Sequence, residues 1–251
     1  MTERVLEGRV AIVTGSARNI GRAISLDLAR AGAAIVVNAQ KSADEAKATA
    51  DAIAAEGGRA VVQLADVTQP DGAQSLVDSA LKAFGRLDCL VNNAAVRRET
   101  PFAALSFEEW REVNAIILDG AFLTAKAALA ALKQSDCASI INIGGMSAHT
   151  GALNRAHVVA AKSGLVGLTR ALAHDLAADG ITVNCVVPGM IDTKRGASSA
   201  AAPAHHAQHM PPIGRRGKPE EIAALVRFLA SPQARYITGQ AIHANGGVFM
   251  P

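Results

Sequence analysis

The feature that most constrains the fold is the regular alternation of short β-branched runs with longer segments rich in alanine and leucine. The β-branched runs span residues 10–14, 34–38, 60–64, 89–92, 139–143 and 182–187. The segments between them have helix-forming residues with apolar positions spaced for one face, and they span residues 21–31, 43–56, 70–84, 107–132 and 155–179. This alternation predicts right-handed βαβ units, and therefore a doubly wound α/β fold whose parallel sheet has helices on both faces. Ligands bind such sheets at the carboxyl ends of the strands.

Composition predicts one domain over residues 1–251. The chain is 50% hydrophobic and 19% charged, which is enough apolar material for one large core. Aromatic residues make up only 3%, so the core is expected to consist of alanine, valine, isoleucine and leucine. The three cysteines, Cys89, Cys137 and Cys185, are odd in number and far apart, which favours buried apolar thiols over disulfides or metal ligands. Such thiols are typical of a reducing compartment, and we expect a cytoplasmic protein.

Several other functional classes have little support. The N-terminus has no apolar signal core, and no uninterrupted apolar run approaches the ~20 residues that cross a bilayer, so no membrane association is expected. The net charge is only +3 and the basic residues are dispersed, which argues against nucleic-acid binding. A polar stretch at about 193–218 is expected to form a substrate lid. Its three histidines, His205, His206 and His209, have no acidic residue nearby, so we interpret them as solvated or substrate-facing and expect no metal site.

A glycine-containing loop follows the first strand and opens the first helix. In this context backbone N–H groups at the positive end of the helix can bind a pyrophosphate, which indicates a dinucleotide cofactor. The residues expected at this part of the site are Gly15, Ala17, Arg18, Asn19, Ile20 and Gly21.

The choice between NADP and NAD is predicted from charge. A carboxylate after the second strand would bind the ribose hydroxyls of NAD and repel the additional phosphate of NADP, but residues 38–42 contain no acid. The guanidinium of Arg18 can bind a 2′-phosphate bidentately, and Lys41 can add a second positive charge. NADP is therefore preferred and NAD stays possible; the alternative is that Arg18 is simply a surface residue.

Five motifs together resemble the short-chain dehydrogenase/reductase family over nearly the whole chain. They are the loop at 14–21, Asn92-Asn93-Ala94-Ala95, Ala160-Ala161-Lys162-Ser163-Gly164, Pro188-Gly189-Met190-Ile191-Asp192-Thr193 and Ala244-Asn245-Gly246-Gly247. The C-terminal part resembles the 3-oxoacyl-thioester reductase branch. The resemblance implies a Rossmann-like domain and adds further cofactor-binding residues, namely Ala39, Gln40, Asp66, Val67, Asn93, Ala94, Ala95, Lys162, Pro188, Gly189, Ile191 and Thr193. Asn19 and Ala95 stand where the family usually has glycine; Asn19 tolerates a positive φ, and Ala95 adds a methyl group near the cofactor.

The catalytic residues of that family are only half present. The resemblance assigns Lys162 to the lysine that lies four residues after the catalytic tyrosine, and Asn114 to the asparagine that supports the proton relay. The tyrosine position is then Val158, and the serine position, thirteen residues earlier, is Gly145. The chain has one tyrosine, Tyr236, in a late segment that is structural in the family.

Other polar residues are candidates for the missing proton chemistry. His157 is adjacent to the vacant tyrosine position, and histidine is chemically able to act as acid and base, but on a regular helix it points about 100° away from Val158. Ser147 and His149 follow the vacant serine position. The alternative for both histidines is a packing or capping role.

Two functions remain open on this reading. One is an NAD(P)-dependent oxidoreductase with an atypical active site that acts on a carbonyl/alcohol pair of a small-molecule substrate. The other is a catalytically silent NADP-binding protein that acts as a sensor or a non-catalytic oligomer partner. The resemblance also implies a homo-oligomer, a tetramer by analogy, that pairs the helices of segments 107–132 and 155–179.

Overall fold

A computed structural model describes residues 4–193 and 210–251. Its centre is a seven-stranded, wholly parallel sheet in the order β3-β2-β1-β4-β5-β6-β7. The strands are β1 (Val10–Val13), β2 (Ala34–Ala39), β3 (Arg59–Leu64), β4 (Cys89–Asn92), β5 (Ser139–Ile143), β6 (Thr182–Pro188) and β7 (Ala241–Ala244). The order reverses between β1 and β4, and this reversal creates the crevice in which doubly wound sheets bind ligands.

Helices cover both faces of this sheet. They are α1 (Asn19–Arg30), α2 (Ala43–Ala55), α3 (Pro70–Phe84), α4 (Phe107–Asn114), α5 (Gly120–Leu132), α6 (Ser147–Thr150), α7 (Ala156–Asp175) and α8 (Pro219–Ala230). Side chains alternate between the two faces along each strand. Val10 and Ile12 of β1 therefore join one buried cluster, whereas Ala11 and Val13 join the cluster on the opposite face. The prediction of a doubly wound α/β fold is confirmed.

The sequence located six of the seven strands and missed β7. Every residue of β7 is only partly buried, and the segment Ala-Ile-His-Ala contains a single β-branched residue. A strand at the edge of a sheet needs less apolar character than a central one, so the pattern of β-branched residues did not reveal it.

The segment 107–132, predicted as one helix, is not a continuous α-helix. Between α4 and α5 the chain forms a π-helical segment, Ala115–Asp119, which begins directly after Asn114. Single turns of π-helix are rare in proteins, and those that do occur are often found at functional sites. The segment therefore indicates that the region around Asn114 is functional.

The stretch Phe107–Leu132 also bears on the expectation that no apolar run is long enough to cross a bilayer. By length and composition it is long enough, with a mean hydropathy of 1.7 over 18 residues. Part of this apolar character is used inside the protein, because Ala125, Ala128 and Leu132 of α5 are buried in a cluster with residues of α3. Core helices commonly have such composition but are mostly buried, whereas 39% of this window is buried.

All three cysteines are free and buried, as predicted. Burial raises the pKa of Cys89 to about 12 and that of Cys185 to about 11, so both thiols are protonated at neutral pH. Most of the predicted lid, including His205, His206 and His209, falls within 194–209 and lies outside the described residues.

Candidate active site

The loop between β1 and α1 has the backbone geometry of a phosphate-binding turn. Gly15 has a φ of +60° and Asn19 a φ of +52°, which confirms that asparagine adopts the conformation expected of a glycine there. A Cβ atom at Gly21 would lie 2.5 Å from the carbonyl oxygen of Gly15, so no larger residue fits. The first N–H groups of α1 are thus presented by a closely packed turn at the carboxyl end of β1.

Two asparagines, the half-buried Asn93 and the buried Asn38, hold this loop in place. The side-chain amide of Asn93 donates to the carbonyl oxygens of Thr14 (2.9 Å) and Gly15 (3.0 Å). Asn38 accepts a hydrogen bond from the Gly15 N–H at 3.1 Å, while its own amide donates to backbone carbonyls that include that of Gln63. Sequence reasoning missed the role of Asn38. The available signal was a single amide in an otherwise apolar, fully buried strand.

The region after β2 contains the residues predicted for the cofactor ribose. Arg18 has its Nη1 atom 3.7 Å from Oε2 of Glu45, and both side chains are about half exposed. Glu45 lies in the first turn of α2, just after residues 38–42, which contain no acid. The guanidinium therefore already has an anionic neighbour, and a 2′-phosphate would compete with it.

Asp66 follows β3 and is hydrogen bonded from both sides. Gln40 donates to its Oδ2 at 2.8 Å, and the Thr68 N–H and hydroxyl donate to its Oδ1. Partial burial opposes ionisation, but these hydrogen bonds together lower the pKa of the carboxyl group. The next residue, Val67, is buried against Gly120, where an added Cβ would lie 3.0 Å from its methyl group.

The predicted nicotinamide segment follows β6. A Cβ atom at Gly189 would lie 2.6 Å from the Cα atom of Asn245, so glycine is required for the segment to pass β7. Ile191 is buried and pairs with Gly217 in an isolated parallel bridge. Across the site, Ala94 packs its backbone against Gly15, whereas Ala95 is exposed.

Lys162 is a buried cation at the carboxyl end of β5. It lies on α7 with 8% of its surface exposed, and its Nζ atom donates a hydrogen bond to the carbonyl oxygen of Ile143. Burial lowers the pKa of Lys162 to about 8, and the like charge of Arg97 adds to this effect. The ammonium group is therefore mostly protonated at neutral pH and is a stronger acid than an exposed lysine.

Asn114 is placed by the end of α4. Its side-chain amide donates to the carbonyl oxygen of Trp110 at 2.8 Å, and the π-helical segment starts at the next residue.

The two vacant family positions have different surroundings. Val158 belongs to a compact apolar cluster with Val113, Ile117 and Ala161, so hydrocarbon occupies the position of the expected hydroxyl group. Gly145 has open space around it. The nearest atom to an added Cβ there is the hydroxyl oxygen of Ser147, 4.0 Å away. Ser147 therefore brings a hydroxyl group close to where the family has its serine.

The two candidate histidines lie in different environments. His157 has no exposed surface, and its Nε2 atom is 3.5 Å from Oε1 of Glu109 on α4. His149 is held by ring contacts, with centroid distances of 4.5 Å to His243 and 5.6 Å to Phe249. Ring nitrogens of His149, His157 and His243 are buried without a hydrogen-bond partner. The contacts of His157 are thus with α4, and those of His149 are with β7 and the C-terminal segment.

Tyr236 is fully exposed, in the connection between α8 and β7. Among the residues that the structure describes, no group of three or more histidine, cysteine, aspartate or glutamate side chains is arranged to hold a metal ion.

A dinucleotide fits this arrangement of residues. The tight turn at Gly15 and Gly21, where added side chains would clash with neighbouring backbone, presents the first N–H groups of α1, and Lys162 adds a positive charge at the same edge of the sheet. A nicotinamide dinucleotide, when bound, supplies or accepts a hydride.

Comparison with known proteins agrees with this geometry. A family model described as enoyl-(acyl carrier protein) reductase matches residues 15–249. The 3-oxoacyl-[acyl-carrier-protein] reductase of Synechocystis sp. is 39% identical over 246 residues, which cover 98% of this chain and 98% of that protein. The enzyme FabG of Escherichia coli K12, of the same name, is 37% identical and covers 97% of this chain and 98% of its own length.

Solved structures give the same result. A short-chain dehydrogenase/reductase from Serratia marcescens is 38% identical, with a TM-score of 0.89 and coverage of 96% of this chain and 98% of that one. A short-chain dehydrogenase from Burkholderia cenocepacia in complex with NADP is 35% identical, with the same TM-score and coverage.

Fold and site together define a dinucleotide-binding α/β protein. The chain belongs to the short-chain dehydrogenase/reductase family and is an oxidoreductase of that type, related to the 3-oxoacyl-acyl-carrier-protein reductases.

Proposed function

We propose that this protein is an NADP(H)-dependent oxidoreductase that interconverts a carbonyl compound and its alcohol without a tyrosine at the active site. The observation that carries this proposal is the buried ammonium group of Lys162, held at the carboxyl end of β5 by the carbonyl oxygen of Ile143. Burying a charge is costly unless it has a partner, so a lysine in this position favours a site that binds cofactor and polar substrate.

The proposed substrate contacts use Ser147 and Lys162. The hydroxyl group of Ser147 donates a hydrogen bond to the carbonyl oxygen of the substrate, in the role that the missing serine would have. Lys162, with a pKa of about 8, releases a proton to that oxygen, directly or through one water molecule, and is reprotonated from solvent. In the reverse direction the neutral amine accepts the proton from the alcohol. His157 has no surface to offer a substrate and takes no part.

The preference for NADP rests on Arg18. Its exposed guanidinium can form bidentate hydrogen bonds with a 2′-phosphate, and its present neighbour Glu45 is held only at 3.7 Å. The cofactor-binding residues are those predicted from the sequence.

A specific observation favours a second candidate, a catalytically silent NADP-binding protein. At position 158 the valine does more than lack a hydroxyl group, because its side chain is packed into an apolar cluster with Val113 and Ile117. Such packing suits a protein that keeps the cofactor site and has lost proton transfer.

We also propose that the chain forms one domain, with residues at about 193–218 as a lid, and that it assembles as a homotetramer in the cytoplasm. Exposed aromatic side chains support self-association: 69% of Phe107 and 47% of Phe122 is accessible on the helices that the family pairs.

The test is a fluorescence titration with NADPH and NADH, followed by a panel of ketones, 3-oxoacyl thioesters and quinones. Binding with turnover is the expected result. Binding without turnover on any of these substrates would favour the silent protein, and absence of binding would overturn the cofactor assignment.

A further inference from the structure

Two adjacent arginines follow β4 and have different partners. Arg98 forms a bidentate ion pair with Glu112 of α4, in which Nη2 donates to Oε1 at 2.7 Å. Arg97 is exposed, and its Nη1 atom lies 3.5 Å from the hydroxyl oxygen of Thr193. Arg97 therefore reaches from the end of β4 to the segment that follows β6, whereas Arg98 is turned towards α4.

Arg97 and the candidate catalytic lysine lie at the same edge of the sheet, because Arg97 follows β4 and the Nζ atom of Lys162 donates to the last carbonyl oxygen of β5. After burial, the positive charge of Arg97 contributes to the lowered pKa of Lys162. A third polar group, the Ser147 hydroxyl, lies beside the open space at Gly145. Two positive charges and a hydroxyl group thus lie at the edge of the sheet where β4, β5 and β6 have their carboxyl ends.

We propose that Arg97 binds a carboxylate group of the substrate, so that the protein acts on a small oxo acid or the corresponding hydroxy acid. This inference rests on the proposed function of the same site. A guanidinium presents two parallel N–H donors that match the two oxygens of a carboxylate, which gives orientation as well as binding energy. An anion bound at Arg97 also removes part of the repulsion on Lys162, and the protonated form of the lysine becomes more favourable.

The chain offers a matched control. Arg98→Ala removes the same number of atoms and the same charge one residue away, from a side chain that is turned towards α4 and bound by Glu112. Arg97→Lys keeps the charge and removes the paired donors.

The experiment measures binding of malonate by calorimetry, with malonamide as the uncharged probe, both with and without saturating NADP⁺. We expect malonate to bind the unaltered protein, to bind about tenfold or more weakly to Arg97→Ala and Arg97→Lys, and to bind Arg98→Ala within about twofold. Binding of malonamide should be the same in all four proteins. Equal malonate affinity in Arg97→Ala and the unaltered protein, or no malonate binding under either condition, would overturn the proposal.

A kinetic measurement extends the test to catalysis. The ratio of kcat/KM for 3-oxobutanoate to that for its methyl ester should fall about tenfold in Arg97→Ala and stay unchanged in Arg98→Ala. An unchanged ratio in Arg97→Ala would contradict the assignment. Because the calorimetry needs no turnover, failure of the oxidoreductase proposal alone would leave the malonate result intact, and the two failures are distinguishable.

Discussion

Lys162 and Ile143 are joined by a hydrogen bond from the ammonium group of the lysine to the last carbonyl oxygen of β5. This bond holds a buried cation at the edge of the sheet where the glycine loop begins α1. Because Lys162 is buried and is also the proposed proton donor, its charge affects both the stability of the fold and the chemistry of the site.

The first prediction concerns pH and stability. The pKa of Lys162 is about 8 in the folded chain and near the ordinary lysine value of 10.5 when unfolded, so between these values the unfolded chain binds more protons. The free energy of unfolding should therefore increase with pH over that window, by about 3 kcal/mol from this group. Urea unfolding from pH 7 to 10.5 should show this rise in the unaltered protein relative to Lys162→Met. Parallel curves for the two proteins would contradict the prediction.

The second prediction restores the family's proton donor. Val158→Tyr should increase carbonyl reductase activity about a hundredfold, the range of general acid catalysis. Because Val158 lies in a packed apolar cluster, the larger ring should cost about 1–3 kcal/mol of stability. Val158→Phe is the control, since it adds the ring without the hydroxyl group. Equal activities of the tyrosine and phenylalanine variants would show that proton transfer does not limit turnover.

The third prediction separates the candidate donors. Ser147→Ala should lower kcat about tenfold or more, because the hydroxyl group that polarises the carbonyl is removed. His157→Gln should leave kcat within about twofold, since the imidazole is fully buried beside Glu109. The decisive comparison is steady-state kinetics of both variants with NADPH and one ketone; a larger loss in His157→Gln than in Ser147→Ala would reverse the assignment.

Much of the fold was predictable from the sequence, because central strands and their crossover helices carry strong periodic patterns. The run 89–92 matches β4, and the segment 70–84 matches α3, whose proline at the first position and Gly85 in the left-handed conformation mark both ends. Strand β7 has no such pattern because it lies at an edge. The π-helical segment after Asn114 depends on packing between helices, which local propensity does not encode.

The sequence predicted which positions belong to the site, but not how their side chains are arranged. Spacing along the chain located Lys162, Asn114 and the two vacancies, but the sequence could not reveal that Ser147 lies beside Gly145 or that His157 faces Glu109. Nor could it reveal that Glu45 pairs with Arg18, because helix α1 and strand β2 separate them in the chain. Side-chain contacts of this kind are set by tertiary structure.

The pairing of Arg18 with Glu45 leads to a fourth prediction. Arg18→Ala should weaken NADPH binding about tenfold and change NADH binding little, whereas Glu45→Gln should strengthen NADPH binding by releasing the guanidinium. Fluorescence titrations with both cofactors measure the effect. A similar loss of affinity for NADH and NADPH in Arg18→Ala would show that the arginine does not bind the 2′-phosphate.

Hydride transfer from the cofactor to a carbonyl substrate is tested by a single-turnover experiment with NADPH that carries deuterium at the transferable position of C4. The protein is mixed with this cofactor and a 3-oxo acid, and the product is analysed by mass spectrometry, with Lys162→Met as the matched control. We expect one deuterium in the hydroxy acid formed by the unaltered protein and none in the control. Bound cofactor with no deuterium in the product of the unaltered protein, on any carbonyl substrate of the panel, would contradict this expectation.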